Sequence, residues 1–209
     1  MLVCIEGVDG VGKSTIASEV RKAFTLNNVI LCSDPCREHP ATLAIRQFLL
    51  ARGKTLPVAT QIQLFEAARA ILMHDFIMPA LRSGALVICD RFWLSTIVYQ
   101  EATELNKYPI DILFYLSDSK DNIKSRISKF NIVSDFSTID DIALDVLNSR
   151  YRKAIADNSE HISRVVDVDA SSISNAVEHI VQVISDVLPH MTIYNKDFGV
   201  SRANRPKQI

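Results

Sequence analysis

Short apolar runs alternate along the chain with longer stretches in which apolar positions recur every three or four residues. Leu2-Val3-Cys4-Ile5 is a continuous apolar run of the buried-strand kind, and it ends at Glu6-Gly7. Residues 13–26 follow with helical spacing, placing Ile16, Val20, Ala23 and Phe24 on one face. The same alternation continues to the C-terminus. Strands are predicted at 29–32, 85–89, 111–116 and 164–168. Helices are predicted at 42–52, 60–81 (bent or ended near Pro79), 94–105, 120–130, 139–158 and 172–188, the last stopped by Pro189. Five apolar strands separated by helices imply an α/β fold, with a five-stranded parallel sheet and helices on both faces. In such sheets ligands gather beyond the carboxyl ends of the strands. The segments expected to carry chemistry are therefore 6–15, 33–42, 90–100 and 169–172.

The first of these reads Gly7-Val8-Asp9-Gly10-Val11-Gly12-Lys13-Ser14, which fits G-x-x-x-x-G-K-[ST] at every fixed position. It lies between an apolar strand and a helix, the setting the motif needs. Glycines let successive backbone N–H groups turn inward, and the helix start adds partial positive charge. Lys13 can then reach the outer phosphates of a nucleotide, and the Ser14 hydroxyl can ligate Mg²⁺. Gly7, Gly10, Val11, Gly12, Lys13, Ser14 and Thr15 form the expected ATP-binding loop of a P-loop NTPase fold. The N-K-x-D signature of guanine readers is missing: Asn106-Lys107-Tyr108-Pro109 lacks the Asp, and Asn195-Lys196-Asp197 comes after the last helix. A switch GTPase is disfavoured.

The stretch after the third strand reads Asp90-Arg91-Phe92-Trp93-Leu94-Ser95-Thr96-Ile97-Val98-Tyr99-Gln100. With Glu6 through Thr15, Phe65-Glu66-Ala67-Ala68-Arg69 and 111–117, it makes four ordered motifs by which the chain resembles the thymidylate kinases. The resemblance covers roughly residues 1–188. It implies transfer of the ATP γ-phosphoryl group to dTMP with Mg²⁺, on a P-loop NTPase fold with a short lid, and family members are typically homodimers. Lys13, Asp9, Arg91 and Arg126 are the implied catalytic set. Asp9 would face the sugar 3′-hydroxyl and the acceptor phosphate, which Arg46 and Arg91 would hold. Phe65 would stack on the pyrimidine, Arg69 would bond its carbonyl edge, and Ser95, Thr96 and Gln100 would line the base pocket. Tyr99 would occupy the place of a 2′-hydroxyl, and Asp90, with Ser14, would serve the Mg²⁺ shell.

Two stretches depart from the family pattern. The usual R-E-P-G-G-T after the second strand is matched here only by Arg37-Glu38-His39-Pro40-Ala41-Thr42. Residues 131–145, where a basic lid is expected, hold four acids (Asp135, Asp140, Asp141, Asp145) and no Lys or Arg. Arg126 is the first candidate to supply that charge and Arg150 the second. No protein base is required, since a phosphate oxygen is already a nucleophile. Other readings stay open: a kinase for a modified or wider set of deoxynucleoside monophosphates, a deoxynucleoside kinase using Glu38 as base, or a non-catalytic nucleotide-binding module.

Composition narrows this further. The 209 residues suit one kinase domain over 1–190, with a lid at about 130–145 and an extension at 191–209 on the surface or at an interface. Lys+Arg is 23 against 24 Asp+Glu, a net charge of −1 that gives no reason to expect nucleic-acid or membrane binding. No apolar run reaches the roughly 18 residues a bilayer span needs. Cys4 and Cys89 sit in apolar runs as small hydrophobes, and Cys32 and Cys36 beside His39 lack a fourth metal ligand. Reduced thiols and a cytoplasmic protein are expected.

Overall fold

The computed structural model describes residues 1–24, 28–130 and 140–188. Five strands, β1 (Leu2–Glu6), β2 (Val29–Ser33), β3 (Leu86–Asp90), β4 (Ile112–Ser117) and β5 (Val165–Asp169), form one parallel sheet in the order β2-β3-β1-β4-β5. Every residue of β1 and β3 is buried, as strands covered on both faces must be. β5 pairs only with β4, and its exposed Val165 and Asp169 mark it as an edge. The register aligns Ile5 with Asp90, so the chain leaves β1 and β3 side by side. Cys32, Cys89 and Cys4 stand in one row across β2, β3 and β1. The four cysteines are free and buried.

Helix α1 (Lys13–Ala23) packs against α8 (Ile173–Val187), whose N-cap Ser172 accepts from the Asn175 N–H. α2 (Pro40–Arg52) packs on α3 (Val58–Leu72), which in turn meets α5 (Trp93–Gln100); α5 also packs against α7 (Asp141–Asp157). α4 (Met78–Arg82) precedes β3, and α6 (Lys120–Phe130) follows β4. The core runs through the central strands to Ile16, Val20, Leu72, Trp93, Leu144, Leu147 and Ile180. Buried Trp93 donates its indole N–H to the Tyr108 carbonyl at 2.9 Å.

The predicted helix at 60–81 divides. Between α3 and α4 the chain makes a π-helical turn, Met73–Ile77. The wider turn precedes Pro79, which cannot donate to the carbonyl four residues back, and so relieves the clash a proline brings to a regular helix. The helix predicted at 94–105 ends at Gln100. Glu101 takes a left-handed φ of 53° and its carboxylate pairs with Arg150 at 2.8 Å. Past it, Asn106 N–H is held by Glu66 Oε1 of α3. Residues 131–139, the greater part of the expected lid, and the extension 191–209 lie outside the described residues. Among the described residues no helix is long and apolar enough to cross a membrane.

Candidate active site

β1 neighbours β3 on one side and β4 on the other, and the crevice at such a branch point is where ligands sit in parallel sheets. The loop 7–12 fills it. Gly10 has φ +81°, and a Cβ there would stand 2.6 Å from Ile127 Cγ1 of α6, so neither the backbone nor the space admits a side chain. Lys13 folds back, its Nζ donating to the carbonyls of Gly7 and Val8 at 2.8 Å each. Burial and the neighbouring Arg91 push its amine down to about 8. The Ser14 hydroxyl donates to Asp90 Oδ2, while Asp90 Oδ1 has no partner among the described residues.

The Arg91 N–H continues the sheet by donating to the Ile5 carbonyl at 3.1 Å, and its φ of 69° is unusual for a residue with a side chain. That turn aims the guanidinium at the loop. Nη2 pairs with Asp9 Oδ1, Nη1 donates to Ser95 Oγ at 3.0 Å, and the group lies 5.3 Å from the Tyr99 ring centre. Burial alone would raise the Asp9 carboxyl, yet Arg91 and Lys13 outweigh it and hold it below the usual range. The Asp9 N–H donates to Tyr99 OH at 3.1 Å.

Beside this pair opens a cavity of about 250 Å³. Asp9, Arg46, Phe65, Arg69, Arg91, Ser95, Thr96, Tyr99 and Gln100, all expected at an acceptor site, line it together. Arg46 is half-buried and 3.5 Å from the Pro35 carbonyl; burial, Arg37 and Arg91 all lower its pKa, so cationic groups are concentrated here. Among the described residues Gln100 Nε2 makes one long contact, 3.5 Å, to Gln61 Oε1. Arg69 is 1% exposed: Nε donates to Asp34 Oδ2 at 2.6 Å and Nη2 to Thr96 Oγ1 at 2.7 Å. Removing one member of such a buried pair costs about 3–5 kcal/mol.

Several placements differ from the sequence reading. Ser95 lines the cavity, but its hydroxyl is engaged by Arg91 and donates to Glu6 Oε2 at 2.7 Å. Arg126 does not line the cavity. Its guanidinium faces the Val11 and Ala170 carbonyls at 3.3 Å each and pairs with Asp118 at 2.7 Å. Arg150 is bonded to the Val98 carbonyl and Glu101. The acid-proline pair that directly follows β2 is Asp34-Pro35, not Glu38-His39-Pro40, and Glu38 is exposed. Sequence reasoning missed three participants: Asp34; Gln61; and Glu6, which accepts from Phe92 N–H at 2.7 Å, Ser95 N–H at 3.3 Å and Tyr151 OH at 3.2 Å. Burial raises the Glu6 carboxyl, against the opposing pull of Arg91. Only the position of Asp34, one residue beyond a strand, signalled it.

Among known proteins, a family model described as thymidylate kinase matches residues 5–184. The thymidylate kinase of Pelodictyon phaeoclathratiforme is 39% identical over 102 residues, 48% of this chain and 46% of that protein. That of Chlorobium limicola is 35% identical over 143 residues, 60% of this chain and 64% of its own. The chain thus spans about half the length of the first curated relatives it matches. The solved thymidylate kinase of Ehrlichia chaffeensis superposes with a TM-score of 0.61 at 22% identity, covering 90% of this chain and 98% of that one, a likeness of fold. That of Candida albicans gives 0.62 at 20% identity, covering 93% and 97%. A parallel sheet with a phosphate-binding loop at its branch point, matched from residue 5 to residue 184, makes this chain a member of the thymidylate kinase family.

Proposed function

We propose that the chain transfers the γ-phosphoryl group of ATP to dTMP, giving dTDP. The observation that carries this reading is the Asp9–Arg91 pair, which joins the phosphate-binding loop directly to the cavity lined by Phe65 and Arg69. Donor and acceptor would meet across it. The N–H groups of the loop would cradle the donor phosphates, and Lys13, released from the Gly7 and Val8 carbonyls, would turn to their oxygens. Arg91 and Arg46 would orient the acceptor phosphate for in-line attack. Phe65 would stack on the base. Tyr99, bonded to the Asp9 backbone, would stand against the sugar and favour deoxyribose. Arg126, on the Val11 carbonyl, belongs to the donor side and holds the loop in shape.

Mg²⁺ is implied by the family chemistry, and the residues present fit it. Ser14 and Asp90 offer hard oxygen ligands, and the unpartnered Asp90 Oδ1 leaves capacity for a metal-bound water. Among the described residues no group of three or more His, Cys, Asp and Glu could hold a metal by itself, which suits an ion carried in with phosphates. Bound there, Mg²⁺ would neutralise charge on the donor phosphates.

Glu38, the carboxylate a deoxynucleoside kinase would need, is exposed and does not line the cavity. A homodimer goes with the family reading. Trp93, Leu94 and Val98 of α5 are buried inside the chain, whereas Phe48 of α2 and Val58 of α3 are exposed and available to a second copy. Free buried thiols suit a cytoplasmic protein. The test is ADP release from ATP and Mg²⁺ with dTMP, dUMP, dCMP, dAMP, dGMP and thymidine in turn. Turnover of dTMP well above the rest is expected; turnover of thymidine instead, or of none, refutes the assignment.

A further inference from the structure

The wall of the cavity holds a charged pair, Asp34 and Arg69, that phosphate transfer does not use. Asp34 stands one residue beyond β2, with its N–H donated to the Asp90 carbonyl at 3.2 Å and its side chain fully buried. Its Oδ2 holds Arg69 Nε, and Thr96 holds Arg69 Nη2. The guanidinium carbon lies 5.8 Å from the Phe92 ring centre. Two anchors and an aromatic wall thus leave the planar group one orientation. Arg69 Nη1 and Asp34 Oδ1 remain without partners among the described residues. An unpaired buried donor is unfavourable, so whatever enters the cavity is selected for its ability to satisfy it.

We infer that Asp34 is the positioning residue for base choice at the acceptor site, fixing Arg69 so that Nη1 serves the 4-carbonyl of a uracil-type pyrimidine. A guanidinium donates and never accepts, so the 4-amino group of cytosine in the same place would leave two donors facing each other. Discrimination of this kind, by a polar group left unpaired with the wrong ligand, far exceeds what an apolar pocket provides. The inference rests on the dTMP reading of the cavity. It adds a residue of the cavity wall, Asp34, that acts through Arg69.

The test is Asp34→Asn in the full chain. Asn keeps the shape, removes the charge and can turn its own N–H groups toward Arg69. Calorimetric binding of dTMP and dCMP is measured beside turnover of each, with ATP binding as the control of fold. The expected result is a tenfold or greater rise in the KM for dTMP, a kcat within twofold, and a tenfold fall in the dTMP-to-dCMP ratio of kcat/KM. If Asp34→Asn does not fold, Thr96→Val removes the other anchor and is expected to lower the ratio in the same direction. A folded variant that keeps the ratio within twofold overturns the inference and leaves the dTMP reading standing. A wild-type chain that turns over neither pyrimidine monophosphate fails the dTMP reading first, and the inference with it.

Discussion

Lys13 should take up a proton when ATP binds. In the protein without nucleotide, burial and Arg91 hold its amine at about 8 instead of the ordinary 10.5. At pH 8 about half of the molecules therefore carry a neutral Lys13, and at pH 9 about nine-tenths do. Donor phosphates placed against Nζ would restore the charge. Calorimetric titration of ATP in buffers of different ionisation enthalpy should then show an uptake of about half a proton at pH 8. Uptake should rise to nearly one at pH 9 and vanish below pH 6.5. Lys13→Arg, charged throughout, should abolish it. The same depression has a stability consequence whose sign follows from linkage. Below about pH 8 both folded and unfolded chains hold the proton, and the native state bears the full penalty of a buried ammonium. Between about 8 and 10.5 only the unfolded chain holds it, so this contribution becomes more favourable to folding as pH rises. A depression from 10.5 to about 8 corresponds to about 3 kcal/mol, read as the difference between wild type and Lys13→Met in denaturant unfolding. No proton uptake between pH 7 and 9.5, or the same uptake in Lys13→Arg, would refute the reasoning.

Other outcomes follow from the same geometry. Gly10→Ala places a methyl against Ile127 at a backbone angle alanine resists, and should destabilise the fold by about 1–3 kcal/mol in thermal or urea unfolding while weakening ATP binding. Arg91→Lys removes the fork that spans Asp9 and Ser95 and should lower kcat/KM for dTMP by about 100-fold or more, with ATP affinity changed far less. Arg126→Ala frees the loop from its outer tether, so the KM for ATP should rise by about tenfold in steady-state assays and that for dTMP by less than threefold.

Strand positions were legible because β1, β3 and β4 are buried on both faces and read as apolar runs up to the polar residue that ends each, Glu6, Asp90 and Ser117. The loop after β1 was legible because its glycines, lysine and serine answer one local demand, the wrapping of a phosphate. What could not be read were facts made by residues distant in sequence. The periodicity of α5 runs smoothly past Gln100, and its true end depends on Glu101 meeting Arg150 from α7. Arg69 looks like a solvated helix charge until Asp34, 35 residues away, is brought beside it. Ser95 lines the cavity, as its motif implies, but nothing local in the sequence tells what its hydroxyl bonds. Its hydroxyl is taken by Arg91 and Glu6, from two other strand ends. A proline pattern without a strand end to anchor it has no fixed origin, so only the end of β2 at Ser33 separates Asp34-Pro35 from Glu38-His39-Pro40 as the turn that follows the strand.

The Glu6 carboxylate, carried at the end of β1, accepts from two further elements, the start of α5 through Phe92 and Ser95 and α7 through Tyr151, and so ties three elements together. None of the three can separate from the others without stranding a buried acid or an unpaired hydroxyl. The phosphate-binding loop, the helix behind the acceptor cavity and the helix that reaches back to Asp141 should therefore open as one cooperative unit. In amide hydrogen exchange the Phe92 and Ser95 N–H groups, though at a helix start where fraying is the rule, should be among the slowest in the molecule.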